Sequence, residues 1–133
     1  MLKIEHLGIV VKDLEASNAL FTKLLNREPY KMEEVPNSDI VTSFFMMGES
    51  KIELFSSETP DIQRYLEKKG EGIHHIAFLV DDLQSEIDRL ISEGFKPIMK
   101  EPARGADNKM VFFFHPKSTN GVLLELCAEI DAK

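Results

Sequence analysis

The string Gly72-Ile73-His74-His75-Ile76-Ala77-Phe78-Leu79-Val80, followed at once by Asp81-Asp82-Leu83, decides how this chain folds. An altered copy opens the protein: Ile4-Glu5-His6-Leu7-Gly8-Ile9-Val10-Val11, then Lys12-Asp13-Leu14. In each copy a histidine is followed two residues later by a small residue, then by large apolar ones, and an Asp-Leu pair closes the string. His6 and His75 lie 69 residues apart, and the Asp-Leu pairs keep that spacing. The repeat reads as an internal duplication whose two histidines meet at one site.

Working outward, the apolar runs predict strands over residues 4–11 and 74–80. Asp13 and Asp82 are N-cap residues for the helices that follow. Leu14, Ser17, Phe21, Leu24 and Leu25 recur at helical spacing in the first, and Leu83, Ile87, Leu90 and Ile91 in the second; Asn26 and Gly94 end them. Further strands are predicted over residues 30–35, 40–47 and 51–55, and again over 95–99, 110–115 and 122–127, with residues 101–108 as a loop. Thr59-Pro60 opens a short helix that Gly70 closes. The expected fold is therefore α+β: two tandem β-α-β-β-β modules, about 1–57 and 71–129, joined by a linker helix at about 58–70, in one domain over 1–133. The tail after Glu129 is expected to be loose.

A length of 133 residues fits one domain, and 43% hydrophobic with 29% charged residues is a composition that can bury a core. Cys127 is the single cysteine, so no internal disulfide forms and a reducing cytosol is the expected compartment. Neither a secretory leader pattern nor an apolar stretch near 18 residues occurs, which argues against secretion and membrane spanning. A formal charge of −7 argues against nucleic acid as a partner. Local positive charge for an anionic small substrate is available at Lys96, Lys100, Arg104, Lys109 and Lys117, although a plain solvated surface is the more ordinary reading of these residues.

Aligning the halves from their ends exposes a second pair. Lys51-Ile52-Glu53-Leu54-Phe55 corresponds to Leu123-Leu124-Glu125-Leu126-Cys127, with Glu53 and Glu125 72 residues apart. A carboxylate inside an apolar strand costs several kcal/mol unless it is paired or metal-bound, and here one occurs at each of two equivalent places. A lone histidine in an apolar strand is ordinarily a satisfied core residue, and a lone glutamate at a sheet end can reach solvent. Four metal-competent side chains at corresponding positions of a repeat instead point to one shared divalent cation. Strand parity places His6 with Gly8 and His75 with Ala77, small neighbours that leave room for a ligand. The same parity turns His74 to the opposite face, toward packing or a surface contact, and leaves His75 as the ligand.

These strings resemble the vicinal oxygen chelate superfamily, which includes glyoxalase I. From end to end they are similar to its methylmalonyl-CoA epimerase family. Gly70-Glu71-Gly72-Ile73-His74-His75-Ile76-Ala77 and His115-Pro116-Lys117-Ser118 carry the narrower resemblance, together with Lys100-Glu101-Pro102 and the two glutamate strings. The resemblance implies a cupped mixed sheet, a homodimer, an acyl-CoA substrate and one divalent metal, with Co2+ favoured and Mn2+, Ni2+, Fe2+ or Zn2+ also suited to the ligands. It carries metal ligation onto His6, His75 and Glu125, and onto Glu53, where some relatives have glutamine. The implied reaction interconverts (R)- and (S)-methylmalonyl-CoA: the C2 proton is removed and returned through a metal-stabilised enolate. Some epimerases carry a separate glutamate in the strand matching residues 40–47, where this chain has Thr42 and Ser43. Glu53 and Glu125 are therefore the expected acid/base pair as well as ligands. Lys117 and Ser118 are expected to bind substrate, unless their segment is a plain β-turn. A lactoylglutathione lyase of the glyoxalase I kind, or another metal-dependent enzyme of the superfamily, is the alternative. A metal-free binding module fits less well, because the ligands are retained.

Overall fold

All but one of the strands read from alternation join into one sheet. The computed structural model describes residues 1–130 and contains β1 (Lys3–Val10), β2 (Lys31–Glu34), β3 (Ile40–Met47), β4 (Ser50–Ser57), β5 (Gly72–Leu79), β6 (Ala103–Arg104), β7 (Lys109–Phe114) and β8 (Leu124–Glu129). Three helices, α1 (Leu14–Leu25), α2 (Pro60–Lys69) and α3 (Leu83–Ser92), connect them. The eight strands form a curled mixed sheet in the order β2-β3-β4-β1-β5-β8-β7-β6. β1 and β5 are antiparallel neighbours at its centre; β1 is parallel to β4, and β5 to β8. This order is symmetric about the β1–β5 junction, as a duplicated chain requires. The loose tail expected after Glu129 lies, beyond Ile130, outside the described residues.

Period-two alternation divides the sheet into an outer face and an inner one. On β4, Ile52 and Leu54 pack with Leu14, Phe21 and Leu25 of α1. On β8, Leu124, Leu126 and Ala128 pack with Ile87 and Leu90 of α3. The intervening residues Glu53, Phe55, Glu125 and Cys127 face the other way. Helix α3 is set by Asp82, whose side chain accepts from the Ser85 N–H at 3.1 Å, and α1 by Asp13, which accepts from the Ala16 N–H at 3.0 Å. Thr59 is the N-cap of α2, but its hydroxyl makes no capping bond and accepts from Ser57 instead. Leu90 is fully packed in the α3 cluster, so Leu90→Ala would cost about 2–5 kcal/mol and loosen this half of the shell.

The second half departs from the predicted pattern at its edge. No strand forms over residues 95–99; Pro97 makes a single bridge to Phe114, and the Ile98 N–H donates to the Phe113 carbonyl at 3.0 Å. Pro97 and Pro102 lack the N–H groups that a continuous ladder needs. Pairing moves to Ala103–Arg104, opposite Val111 and Met110, inside the segment expected to be a loop.

Candidate metal centre and active site

Sheet register brings the four candidate ligands together in two neighbouring rows that overlap on β1 and β5. One row runs Phe44, Glu53, Gly8, His75 across β3, β4, β1 and β5; the other runs Phe113, Glu125, Ala77, His6 across β7, β8, β5 and β1. Each histidine thus stands opposite the small residue of the partner copy. The room beside Gly8 is filled by the His75 ring itself: a Cβ on Gly8 would fall 2.1 Å from its Cε1. Ala77 is fully buried opposite His6.

A β-bulge precedes each histidine. The β1–β5 ladder skips Glu5 between Ile4 and His6, and skips His74 between Ile73 and His75. An extra residue suspends strict alternation, so neighbours can share one side of the sheet. This corrects the expected placement of His74 on the face opposite His75. Both rings line the same cavity, with their Nδ1 atoms 2.9 Å apart. His74 is held between Phe55 and Tyr65, at ring-centroid distances of 5.1 and 4.8 Å. Packing is what it does, but against the candidate ligand His75. In the other copy, Glu5 Oε1 lies 3.4 Å from His6 Nδ1.

The outer nitrogens of both rings face the carboxylates. His6 Nε2 and His75 Nε2 are 3.2 Å apart. Glu53 Oε1 lies 3.3 Å from His6 Nε2 and 3.4 Å from His75 Nε2; Glu125 Oε1 lies 3.4 and 3.0 Å from the same atoms. All four residues are buried. His6, Glu53 and His75 together present ligand atoms within 4.8 Å of one another, and Glu125 touches both histidines of that group. Donors at these separations are spaced like adjacent corners around one ion with bonds of about 2.0–2.2 Å. Two imidazoles with two carboxylates suit a borderline divalent metal such as Co2+, Mn2+ or Zn2+. The residues present fit such an ion.

Electrostatics within the cluster are strong. Burial alone would lower the His6 pKa, but hydrogen bonds to Glu125 and Glu5 and the charge of Glu53 outweigh it and raise it to about 10. For His75, burial is likewise overridden by Glu125 and Glu53, and the value rises to about 9. Burial would raise Glu125, yet the two histidines hold it at about 2. His74 goes the other way, to about 4, through burial and the nearby His75 charge. A divalent cation bound at the centre would compete with the protons on His6 and His75.

Around these four residues lies a layer that the repeat did not single out. Thr42 donates its hydroxyl to Glu53 Oε2 at 2.8 Å, fixing the carboxylate plane. Lys51 donates to Glu5 Oε1 at 2.9 Å and to Asp107 Oδ2 at 2.8 Å. Asp107 also accepts from the Tyr30 hydroxyl at 2.7 Å, and its N–H donates to Glu33 at 2.5 Å. A loop of the second half is thereby fastened to strands of the first. Lys51 carried a legible signal, an inward-parity lysine two residues before Glu53. Asp107 sits in an irregular loop and carried none.

The four candidate ligands lie in a pocket of about 210 Å³ whose walls include Val35, Ile40, Phe44, Phe55, Ile62 and Phe113, with Arg104, Asp107 and Lys109 beside them. Of the cations noted in the sequence, Arg104 and Lys109 line this pocket; Lys109 is paired with Glu129 at 3.1 Å. Lys117 and Ser118 are not among its lining residues. They form a single 3-10 turn in which the Lys117 N–H donates to His115 Nδ1 and the Ser118 hydroxyl to the His115 carbonyl. Neighbouring Pro116 lines a separate cleft that also reaches His74 and His75.

The sequence profile of the Glyoxalase/Bleomycin resistance protein/Dioxygenase superfamily matches residues 5–114. Ethylmalonyl-CoA/methylmalonyl-CoA epimerase of Cereibacter sphaeroides is 37% identical over 128 residues, covering 93% of this chain and 96% of the relative. The chain belongs to this superfamily, in its methylmalonyl-CoA epimerase branch. Among solved structures, a variant of Streptomyces coelicolor methylmalonyl-CoA epimerase in complex with 2-nitronate-propionyl-CoA superposes with a TM-score of 0.92 at 27% identity, covering 100% of this chain and 98% of the other. A methylmalonyl-CoA epimerase in complex with methylmalonyl-CoA and NH4+ gives the same TM-score, identity and coverage. The superfamily fold and branch that the motifs implied are those found.

Proposed function

We propose that this chain is a metal-dependent methylmalonyl-CoA epimerase that interconverts the R and S forms by removing and returning the C2 proton. The observation that carries this reading is the convergence of two histidines from the central β1–β5 pair with two buried carboxylates from the flanking strands β4 and β8, in a chain of the epimerase branch. His6, His75, Glu53 and Glu125 would hold the ion, and a bound divalent ion supplies Lewis-acid stabilisation of negative charge on the substrate's thioester oxygen. Co2+ is the ion we favour.

The residues of the chain do the rest. Glu53 and Glu125 approach the centre from β4 and β8, so each carboxylate addresses one face of a substrate carbon held between them. One takes the C2 proton while the other returns one from the opposite side, and C2 is inverted. Phe44 and Phe113 flank the glutamates in register and make the walls apolar, which strengthens these charges and keeps water from the carbanion. Thr42 steadies the Glu53 carboxylate through its Oε2 oxygen. Arg104 at the pocket supports binding of an anionic acyl-CoA; Lys117 and Ser118, on the turn beside the second cleft, extend that binding.

In this reading the chain is one domain, 1–133, of two modules and a linker helix, and works as a homodimer in the cytoplasm within propionate metabolism. An outer α1 surface with Leu20 and Leu24 62% and 69% exposed supports a second copy, and a single buried cysteine supports a reducing compartment. The test is incubation of metal-loaded protein with methylmalonyl-CoA in deuterated water. Deuterium should enter C2; a Co2+-loaded protein that leaves C2 unlabelled overturns the epimerase reading.

A further inference from the structure

Glu5 is almost fully buried at 2% exposure, and nothing in the proton-transfer chemistry uses it. It is the bulged residue before His6, and its Oε1 faces two groups: His6 Nδ1 at 3.4 Å and Lys51 Nζ at 2.9 Å. Lys51 spans to Asp107 at 2.8 Å, and Asp107 belongs to the loop that lines the pocket together with Arg104. A carboxylate, a lysine and a second carboxylate thus run unbroken from the pocket loop to the ligand ring.

We propose that Glu5 is a positioning residue for the metal centre, acting through His6, and that Lys51 and Asp107 tie this support to the pocket loop. The physical reason is directional. A carboxylate that accepts from a lysine has only acceptor oxygens to offer His6, so the His6 proton belongs on Nδ1. Nε2 is then left with its lone pair aimed at Glu53, Glu125 and His75. An anion behind a ligand imidazole fixes ring orientation and raises the donor strength of the opposite nitrogen. Lys51 holds Glu5 in place and balances its charge in the interior, and Asp107 keeps Lys51 from swinging away. The second half offers His74 at this place, so the carboxylate support belongs to His6 alone.

This inference rests on the four-ligand metal reading, and the experiment separates the two. Co2+ is titrated into the purified full-length chain, and binding is followed by its visible absorption in competition with a chelator. Wild type should bind one equivalent; no binding overturns the metal reading and the positioning role with it. With wild type binding, Glu5→Gln should weaken Co2+ affinity by about 10- to 100-fold and shift the absorption bands, while chelator-treated protein stays folded. Asp107→Asn should weaken it by about twofold or more, and the double variant should be no weaker than Glu5→Gln. Wild-type affinity and spectrum in Glu5→Gln overturn the positioning role. Independent, additive losses overturn the link through Lys51. Should Glu5→Gln not fold, the double variant Glu5→Gln/Lys51→Met removes both interior charges together and must show the same loss.

Discussion

In the first half of the molecule, the bulged residue before the candidate ligand histidine is a carboxylate held by a buried lysine; in the second half, it is an imidazole packed between two aromatic rings. The backbones match: one ladder, a residue skipped before each histidine, and a small residue across the strand pair, Ala77 opposite His6 and Gly8 opposite His75. The side chains behind the ligands differ. Leu123 stands 72 residues after Lys51, the spacing that relates Glu53 to Glu125, so a carboxylate at position 74 would lack the corresponding lysine. Burial then favours a neutral partner there, and His74 is one, with its pKa lowered to about 4. For His75 to present Nε2 to a metal, its Nδ1 must carry the proton and His74 Nδ1 must accept it. Duplication placed the two histidines and two glutamates symmetrically, while the residues behind them diverged to suit two different interiors.

The sharpest way to break that comparison is at the glutamates. Each half contributes one, and each touches both histidines. Glu125→Gln should depress C2 deuterium exchange by about 10²- to 10⁴-fold, the usual contribution of a positioned acid/base group. Glu53→Gln should depress exchange while leaving metal content nearly intact. Unchanged exchange in Glu53→Gln would remove Glu53 from the chemistry and confine proton transfer to the second half.

Next in size is the pH dependence of stability in chelator-treated protein. His6 and His75 hold their protons more tightly folded than unfolded, at about 10 and 9 against 6.5. Their contribution is complete below 6.5 and is lost as pH rises through 9 and 10, with a slope approaching two protons. Glu125, lowered from 4.5 to about 2, contributes above 4.5 and loses that contribution as pH falls through 2. Glu5 behaves like Glu125: burial would raise it, but bonds to His6 and Lys51 hold it at about 2. His74, lowered by burial and by His75, favours the fold above 6.5 and loses that contribution as pH falls through 4. Stability should therefore peak near pH 6.5 and fall toward pH 10. Added Co2+ should oppose the alkaline loss, since its affinity rises as the histidines lose protons. Denaturant unfolding across this range checks it; a flat alkaline limb would show that the two imidazoles are not clamped by the carboxylates.

How far this was legible follows from what each residue's signal depends on. His6, His75, Glu53 and Glu125 could be found because duplication repeats them at fixed spacing, and the sheet brings all four within contact distance. The caps at Asp13 and Asp82 were readable from local chemistry. The side of His74 was not, because a bulge is a property of the pairing between two strands, and parity counts along one. Lys51 and Glu5 needed the register as well: each is a charged residue in an apolar strand, but only the β1–β4 pairing shows that they neutralise each other. Asp107 is 56 residues from Lys51, and no periodicity links a loop residue to a strand partner at that distance. The predicted strand over residues 95–99 failed for a local reason that two prolines already displayed.

The gentlest probe exchanges the small residues that face the ligands. At Gly8 a Cβ would lie 2.1, 2.4 and 2.6 Å from Cε1, Nε2 and Nδ1 of His75, so the ring itself must move. It has little freedom to do so, since His74 and Phe113 meet it edge-on at 5.2 and 5.8 Å between ring centroids. Gly8→Ala should cost about 1–3 kcal/mol by overpacking and should abolish tight Co2+ binding, because the displaced atom is the donor. Ala77 holds the matching place opposite His6, and there the methyl is accommodated. Ala77→Gly should cost only about 0.5–1 kcal/mol, from backbone entropy, with Co2+ binding kept. Equal loss of Co2+ in both variants would mean that the halves share one tolerance at this position; loss confined to Gly8→Ala means that the His75 side alone has no room to spare.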